Sequence, residues 1–201
     1  FRYADVTNQG YINANSKTFL GNPSPKFTYG LNLGLDYKHF DFSVFLYGVY
    51  GNDIWNNVKW WTDFYGSFPG GAASKTTLYN SWTFDNHNAK GPIQDAVNGG
   101  NASTNTVPNS YFVEKGSYLR AKNMTLGYTF GANGLSKAGI SRVRAYLQAA
   151  NLFTITKYSG IDPEISINST NGQNTTTPDF GVDEGAYANP RQYLLGLQIT
   201  F

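Results

Sequence analysis

The sequence predicts an all-β fold, an antiparallel transmembrane β-barrel of which this chain supplies five strands. Three observations favour this fold: the strands are long, most of them have an apolar face opposite a polar one, and the long connections gather at one end. A strand of about 9–11 residues crosses the hydrocarbon layer of a membrane when it is tilted within a barrel wall. Alternation with a period of two puts successive side chains on opposite faces of such a strand.

The composition favours strands over helices. Aromatic residues make up 16% of the chain, with 15 Tyr and 14 Phe, and Gly occurs 22 times. This mixture is typical of strands, tight turns and the aromatic girdles of membrane interfaces. The chain has no Cys for disulfides or thiolate metal sites, and its charged fraction of 14% argues against a nucleic-acid surface. No apolar run approaches the about 18 residues of a membrane-spanning helix, so any crossing of a membrane falls to strands.

Residues 1–26 are predicted to form a loop, because Asn, Gly and Pro recur in them without a sustained period. Asp5, Thr7 and Gly10 have the spacing of a calcium loop, but Asp5 is the only carboxylate at its ligand positions. Calcium prefers several charged oxygen ligands, so we predict no metal site here. The chain opens without Met or a signal peptide, and we interpret it as the C-terminal end of a longer protein.

The first two predicted strands, 27–37 and 40–51, form a hairpin. Residues 27–37 alternate without interruption, and the apolar face has Leu in its middle and aromatic residues at both ends. The connection 38–39 has the length of a two-residue hairpin turn. In the second strand Phe45 and Val49 interrupt the polar face, so this strand is less clear on its own.

The third and fourth predicted strands are 117–130 and 141–152. In the third, Arg120 and Lys122 share the parity of the apolar face near the loop end, where we expect them to reach lipid headgroups or the extracellular rim. In the fourth, we expect the polar face to line the lumen; its residues include Arg142, Arg144 and Gln148.

The fifth predicted strand, 190–201, alternates almost throughout and ends on Phe201. A terminal aromatic strand resembles the assembly signal that outer-membrane barrels present to their insertion machinery. An edge strand of a soluble sandwich is the alternative for this stretch alone.

The lengths of the connections favour a membrane barrel. With the C-terminus taken as periplasmic, the short turns at 38–39 and 131–140 fall on one side of the membrane. The long loops 1–26, 52–116 and 153–189 all fall on the extracellular side. Short periplasmic turns and long outer loops are typical of outer-membrane barrels, whereas a soluble sandwich has no reason to sort its loops. Since five strands do not close an even-numbered barrel, we expect this chain to belong to a larger one.

Five motifs in chain order resemble the C-terminal part of SusC/RagA-type TonB-dependent outer-membrane transporters. They are G-N-P-x-P-K-F-T-Y-G at 21–30, G-V-Y-G-N-D-I at 48–54, S-Y-L-R-x-K-N-x-T-L-G-Y at 117–128, N-L-F-T-x-T-K-Y-S-G-x-D-P-E at 151–164 and P-R-x-Y at 190–193. The resemblance implies a barrel of about 22 strands with a plug in its lumen, in the outer membrane of a Gram-negative bacterium. It also implies a SusD-like surface lipoprotein as a lid, energy from TonB acting on the plug, and uptake of an oligosaccharide or a peptide.

The loop 52–116 contains the candidate residues for contact with a substrate or with the lid. It shows no sustained period and carries all four Trp, and a structureless insertion of this length is usually functional. The candidates are Trp55, Trp60, Trp61, Tyr65 and Trp82, together with Phe64. Alternatively, these aromatic rings pack the loop against itself or lie at the membrane interface.

The sequence gives little support to catalysis. The chain has two His, His39 in the predicted turn and His87 in the loop 52–116, and lacks the G-x-S-x-G, H-E-x-x-H and P-loop motifs. We therefore expect no catalytic residues and no cofactor. Two alternatives to the importer remain: a SusC-like barrel that has lost transport and acts as a scaffold subunit, and a soluble carbohydrate-binding β-sandwich.

Overall fold

The structure of this chain is a computed structural model. It describes residues 1–64, 72–94, 107–131, 139–165 and 180–201. A 3-10 helix spans Ser110–Phe112, and the described helices are too short and too polar to cross a membrane. The other elements, in chain order, are β1 (Phe27–Tyr37), β2 (Phe40–Tyr50), β3 (Asp53–Asn56), α1 (Val58–Thr62), α2 (Lys75–Asn80), β4 (Val113–Lys115), β5 (Tyr118–Phe130), β6 (Arg142–Ala150), β7 (Thr154–Thr156), β8 (Val182–Asp183) and β9 (Gln192–Thr200).

The five long strands form one antiparallel sheet in the order β1-β2-β5-β6-β9, with β7 paired to β5. Each long strand therefore lies beside the long strands that precede and follow it in the chain. Such an up-and-down order is the topology of a barrel wall. The predicted antiparallel all-β fold is confirmed, and every long strand lies within its predicted range.

The register gives the sheet one apolar face across its whole width. One row of paired residues runs Leu35, Phe42, Leu126, Leu147, Leu195 through all five strands. Within the described residues this face is uncovered, and Leu195 is 80% exposed. The neighbouring row on the opposite face runs Gly34, Ser43, Thr125, Gln148, Leu194 and is mainly polar. A wide uncovered apolar face opposite a polar one fits part of a membrane barrel.

A β-bulge at Lys122 changes which side chains of β5 lie on the apolar face. Phe45 pairs with Asn123 and Leu46 with Ala121, so Lys122 is an extra residue in β5. Because an extra residue shifts the alternation by one, Arg120 lies on the polar face. The prediction that Arg120 and Lys122 share the apolar side is wrong for this physical reason. Both side chains instead reach carboxylates above the polar face.

The stretch predicted to be a long non-periodic loop contains ordered structure. β3 pairs with β4 in antiparallel and with β8 in parallel orientation, and α1 and α2 lie in the same stretch as β3. Strands of two to four residues are too short to show an alternation, and β8 is distant in sequence from β3. We call β3, β4, β8, α1, α2 and the 3-10 helix the loop layer. It lies at the end of the sheet where β2 ends and β5 begins.

The other end of the sheet carries the short connections. β1 and β2 are joined by Lys38 and His39, and Lys38 adopts a positive φ of 55°. The connection from β5 to β6 leaves from the same end. Long and short connections are thus sorted as the sequence predicts, and their assignment to the extracellular and periplasmic sides stays a prediction.

We expect Leu126→Arg to destabilise the barrel, because it places a charge in the middle of the apolar face. For a guanidinium near the bilayer midplane the loss is about 2–4 kcal/mol of unfolding free energy. Thr125→Arg adds the same group to the polar face and is the matched control, expected to change stability by about 0.5 kcal/mol. Urea unfolding of the full-length protein in phospholipid vesicles measures both. Equal losses in the two variants would contradict a lipid-facing apolar side.

Candidate functional site

The aromatic residues predicted to contact a substrate or a lid do not form one continuous platform among the described residues. Trp55 stacks on Phe112 with ring centroids 5.0 Å apart, and Phe64 stacks on the same ring at 5.7 Å. Phe112 is 1% exposed, so these two rings pack the interior of the loop layer. Trp60 and Trp61 meet edge to face at 4.5 Å within α1, and Trp61 is 43% exposed.

Trp82 lies in a separate group of rings. It stacks on His87 at 5.6 Å and meets Phe84 edge to face at 5.4 Å. Tyr65 lies outside the residues that the structure describes. Packing therefore accounts for Trp55, while contact of Trp60, Trp61 and Trp82 with a substrate or lid stays a prediction.

The three residues predicted to face the lumen, Arg142, Arg144 and Gln148, lie on the polar face of β6. Arg144 reaches across β5 to Asp41 of β2, and its Nε donates to Oδ2 at 2.8 Å. Gly127 of β5 makes this contact possible, because a Cβ at that position would clash with both side chains. The pair lines a cleft of 520 Å³ at the short-connection end of the sheet.

Two predicted features lie near the ends of the chain. Phe201, the predicted assembly signal, follows β9 and is 83% exposed. At the other end, the Asp5 carboxylate accepts hydrogen bonds from the backbone N–H groups of Thr7 and Gly10 and from the Thr7 hydroxyl. The turn geometry of the calcium-like loop thus uses the single carboxylate to hold its own backbone. Over the described ranges, no three His, Cys, Asp or Glu side chains are placed together to hold a metal ion.

A cavity of about 640 Å³, lined by both polar and apolar residues, lies between the loop layer and the segments next to it, and we call it the loop-layer cavity. Its central group is the Glu114 carboxylate of β4, which joins several segments of the chain. Glu114 accepts hydrogen bonds from Lys59 Nζ at 2.9 Å, from Asn56 Nδ2 at 3.0 Å and from the Ser159 N–H at 2.9 Å. Burial opposes ionisation of Glu114, but these donors outweigh it, so the pKa of the carboxyl lies below its ordinary value.

Asn56 lines this cavity, and its side chain includes a buried acceptor that is closed to solvent. It is 3% exposed, and its Oδ1 has no hydrogen-bond partner. Because an ionised Glu114 only accepts hydrogen bonds, the Nδ2 of Asn56 must face Glu114, and this fixes the amide orientation. A buried acceptor left unpaired costs about 1–3 kcal/mol, so the structure holds this oxygen at an energetic cost. Asn52 Oδ1 is also unpaired, but Asn52 does not line the cavity.

Two further buried carboxylates line the cavity, each held by a Tyr hydroxyl. Tyr111 donates to Asp63 at 2.6 Å, and Tyr158 donates to Asp183 at 2.5 Å. Burial and the neighbouring carboxylate raise the pKa of both Tyr hydroxyls, so both stay protonated donors. The backbone N–H of Gly185 also donates to Asp183 at 2.8 Å. These hydrogen bonds fix the orientation of both carboxylates.

Two exposed residues of the cavity lining are basic. Lys75 begins α2 and Lys90 follows it in the chain, and both side chains line the cavity from exposed positions. Neither ammonium group has an acidic partner within the part of the chain that the structure describes. The acidic groups of the cavity lining are thus buried, whereas Lys75 and Lys90 are exposed.

The Arg120 guanidinium anchors one wall of this cavity to the barrel. Arg120 is 2% exposed and donates to Asp162 at 2.5 Å, to Glu164 at 2.6 Å and to Thr154 Oγ1 at 2.8 Å. Burial opposes ionisation of Asp162, but the hydrogen bonds from Arg120 and from the N–H groups of Glu164 and Asn189, with the Arg120 charge, together outweigh it, so the pKa of that carboxyl lies below its ordinary value. The segment 157–165 is thereby fixed to β5 just beyond Tyr158.

Two more contacts extend this ion cluster. Lys122 Nζ pairs with Glu164 at 2.6 Å, and the Asn189 N–H donates to the second oxygen of Asp162 at 2.9 Å. The bulge in β5 brings Arg120 and Lys122 to one shared carboxylate, Glu164. Both ends of the connection between β7 and β9 are therefore tied to the barrel wall.

The buried polar residues of the cavity were not predicted from the sequence. Asn56, Asp63, Glu114 and Asp183 come from four separate segments, so no local spacing links them. The one available signal is the scarcity of acids, because the chain has only 13 Asp and Glu and several lie within loops rich in Asn, Gly, Ser and Thr.

Comparisons with known proteins agree along the whole chain. The chain is 35% identical to TonB-dependent receptor P3 of Formosa agariphila over 200 residues, which are 99% of this chain. It is 27% identical to TonB-dependent receptor SusC of Bacteroides thetaiotaomicron over 201 residues, again 99% of this chain. The solved structure of the RagAB peptide transporter matches 95% of this chain with a TM-score of 0.73 and 28% identity. No family model matches the sequence.

The chain spans only part of these relatives. It covers 19% of TonB-dependent receptor P3, 17% of SusC and 19% of the matched RagAB chain. The RagAB peptide importer in its closed-closed state gives a similar match, with a TM-score of 0.72 and 26% identity over 95% of this chain.

We expect Arg120→Met to loosen the loop layer, because it leaves Asp162 and Glu164 without their shared guanidinium. Breaking a buried ion pair from one side costs about 3–5 kcal/mol. Lys115→Met is the matched control, since Lys115 is 76% exposed in its pair with Asp53 and an exposed pair contributes about 0–1 kcal/mol. Hydrogen exchange of residues 154–165 in the full-length protein reports the difference. Unchanged protection in Arg120→Met would show that the ion cluster does not hold the segment.

Proposed function

Because this chain belongs to the SusC/RagA-type TonB-dependent transporters as a segment of one, we propose that the whole protein imports a nutrient across the outer membrane of a Gram-negative bacterium. The observation that carries the proposal is the two-faced sheet of five long antiparallel strands, which matches the RagAB barrel over nearly all of this chain. A barrel wall of this kind separates lipid from a lumen through which a solute passes.

The proposed partners are a SusD-like surface lipoprotein and TonB. The loop layer supports the first, because it forms an ordered surface at the end of the sheet where a lid would close. Solved neighbours described as open-open and closed-closed states of a peptide importer fit an opening and closing cycle. TonB would act on a plug that these residues do not include. Membrane lipid is the proposed environment of the apolar face.

The proposed cargo is an oligosaccharide or a peptide that is transported without chemical change. For the two imidazoles within the described ranges, the structure records only ring contacts, His39 with Tyr128 and His87 with Trp82. A general base needs a hydrogen bond to its reacting partner and a group that orients it.

We expect the full-length protein, purified from outer membranes in mild detergent, to bring an equal amount of a surface lipoprotein and a retained peptide or oligosaccharide. Mass spectrometry of the purified complex identifies both. Uptake of the retained solute by intact cells should be lost when TonB is deleted. Co-purification with other membrane machinery and no small solute would favour the scaffold alternative. Recovery in the soluble fraction without detergent would exclude the barrel.

A further inference from the structure

We propose that Tyr146 of β6 and Gly196 of β9 set the register in which β9 joins the barrel wall. We call this pair, together with Arg144, the register lock. The inference concerns assembly of the wall and does not depend on which solute the barrel carries. Three features carry it: the Tyr146 ring covers Gly196, Arg144 packs against the same ring, and neither the side-chain pattern of β9 nor a short turn fixes this register.

The Tyr146 ring occupies the space in which a side chain of residue 196 would lie. Tyr146 and Gly196 are directly paired residues, and a Cβ added to Gly196 would overlap the outer atoms of the ring. Every other residue of β9 is exposed, whereas Gly196 is half-buried. An aromatic side chain packed over a glycine of the neighbouring strand pins the register of the two strands. Gly196 is the only glycine of β9, so this strand can offer the required space in one register.

Arg144 holds the Tyr146 ring in place. Its guanidinium carbon lies 5.0 Å from the ring centroid, and its Nε donates to Asp41 Oδ2 of β2 at 2.8 Å. The side chain crosses β5 above Gly127, where an added Cβ would lie 2.6 Å from Nε. Because the guanidinium is fixed to Asp41, it limits rotation of the ring away from β9.

The side-chain pattern of β9 does not select one register. A shift by one residue would exchange the two faces, but a shift by two residues leaves every side chain on its own face. The lipid-facing positions of β9 are apolar throughout: Tyr193, Leu195, Leu197 and Ile199. Burial in lipid therefore differs little between registers two residues apart. After such a shift, Leu194 or Gln198 would lie opposite Tyr146, and the Cβ of either would overlap the ring.

The connection to β9 does not set the register either. Turn type and loop length fix the pairing of a hairpin, as in the two-residue turn between β1 and β2. Residues 157–191 lie between β7 and β9, so a short turn is lacking here. The N–H of Asn189, which donates to Asp162 just before β9 begins, is the alternative source of the register.

The test exchanges the glycine with its neighbour on the same face, by Gly196→Gln with Gln198→Gly, in the full-length protein with native cysteines removed and inserted in outer membranes. Leu194→Cys reports the register. It forms a disulfide with Gln148→Cys in the present register and with Ala150→Cys after a shift that pairs residue 198 with Tyr146. Directly paired residues lie about 4.5–5.5 Å apart and diagonal ones about 7–8 Å, which is beyond the reach of a disulfide. We expect the exchange to raise the ratio of the 150–194 to the 148–194 disulfide about fivefold or more.

Tyr146→Ala is the second variant, since it removes the ring without adding a larger group. The same ratio should rise about threefold or more, because shifted registers are then no longer excluded. Gly34→Ala is the matched control on the polar face, since its Cβ meets no atom of the described chain within 4 Å and the ratio should stay unchanged. An unchanged ratio in Tyr146→Ala, or in the inserted exchange variant, overturns the inference and assigns the register to the Asn189 contact. Where the exchange variant is not inserted, Tyr146→Ala alone decides.

Discussion

Hydrogen bonding of the backbone across five long strands constrains every other feature of this chain. In a membrane, each backbone N–H and C=O must find its partner in a neighbouring strand, so the strands have to be long, antiparallel and continuous. Their side chains are then divided by parity between lipid and interior. The row from Leu35 to Leu195 shows this division held across the whole sheet. The short strands and helices of the loop layer lie outside this division, at one end of the sheet.

The bulge at Lys122 links the wall to those connections. By shifting the parity of β5, it moves Arg120 from the lipid side to a buried position beneath Asp162 and Glu164. A buried guanidinium is costly unless it is fully paired, so the ion cluster forces the segment 157–165 into one place. That segment carries Tyr158, which orients Asp183 in the loop-layer cavity. The extra residue in β5 thus affects the position of Tyr158 and Asp183 in the loop-layer cavity.

The sequence was informative where a pattern repeats and uninformative where partners are distant. Long strands such as Phe27–Tyr37 repeat a two-residue period often enough to be recognised, so the sheet and its order were predictable. The bulge was not predicted, although two charged residues, Arg120 and Lys122, at the apolar parity are a sign of it, because such residues near a strand end also reach lipid headgroups. Pairing of Asn56 with Asp183 was equally hidden, since β3 and β8 are too short to show a period and lie far apart in the chain. Trp55 was predicted to contact a substrate or a lid, and in the structure its ring stacks on Phe112.

The most direct test of this account is a nitroxide scan of β5 in the full-length protein, reconstituted in a lipid bilayer with native cysteines removed. Spin labels placed singly at positions 118–130 report access to oxygen dissolved in the hydrocarbon. The account predicts high access at 124, 126, 128 and 130, and low access at 120 and 122, which lie on the polar face because of the bulge. Uninterrupted alternation that leaves positions 120 and 122 on the lipid side would contradict both the bulge and the buried place of Arg120.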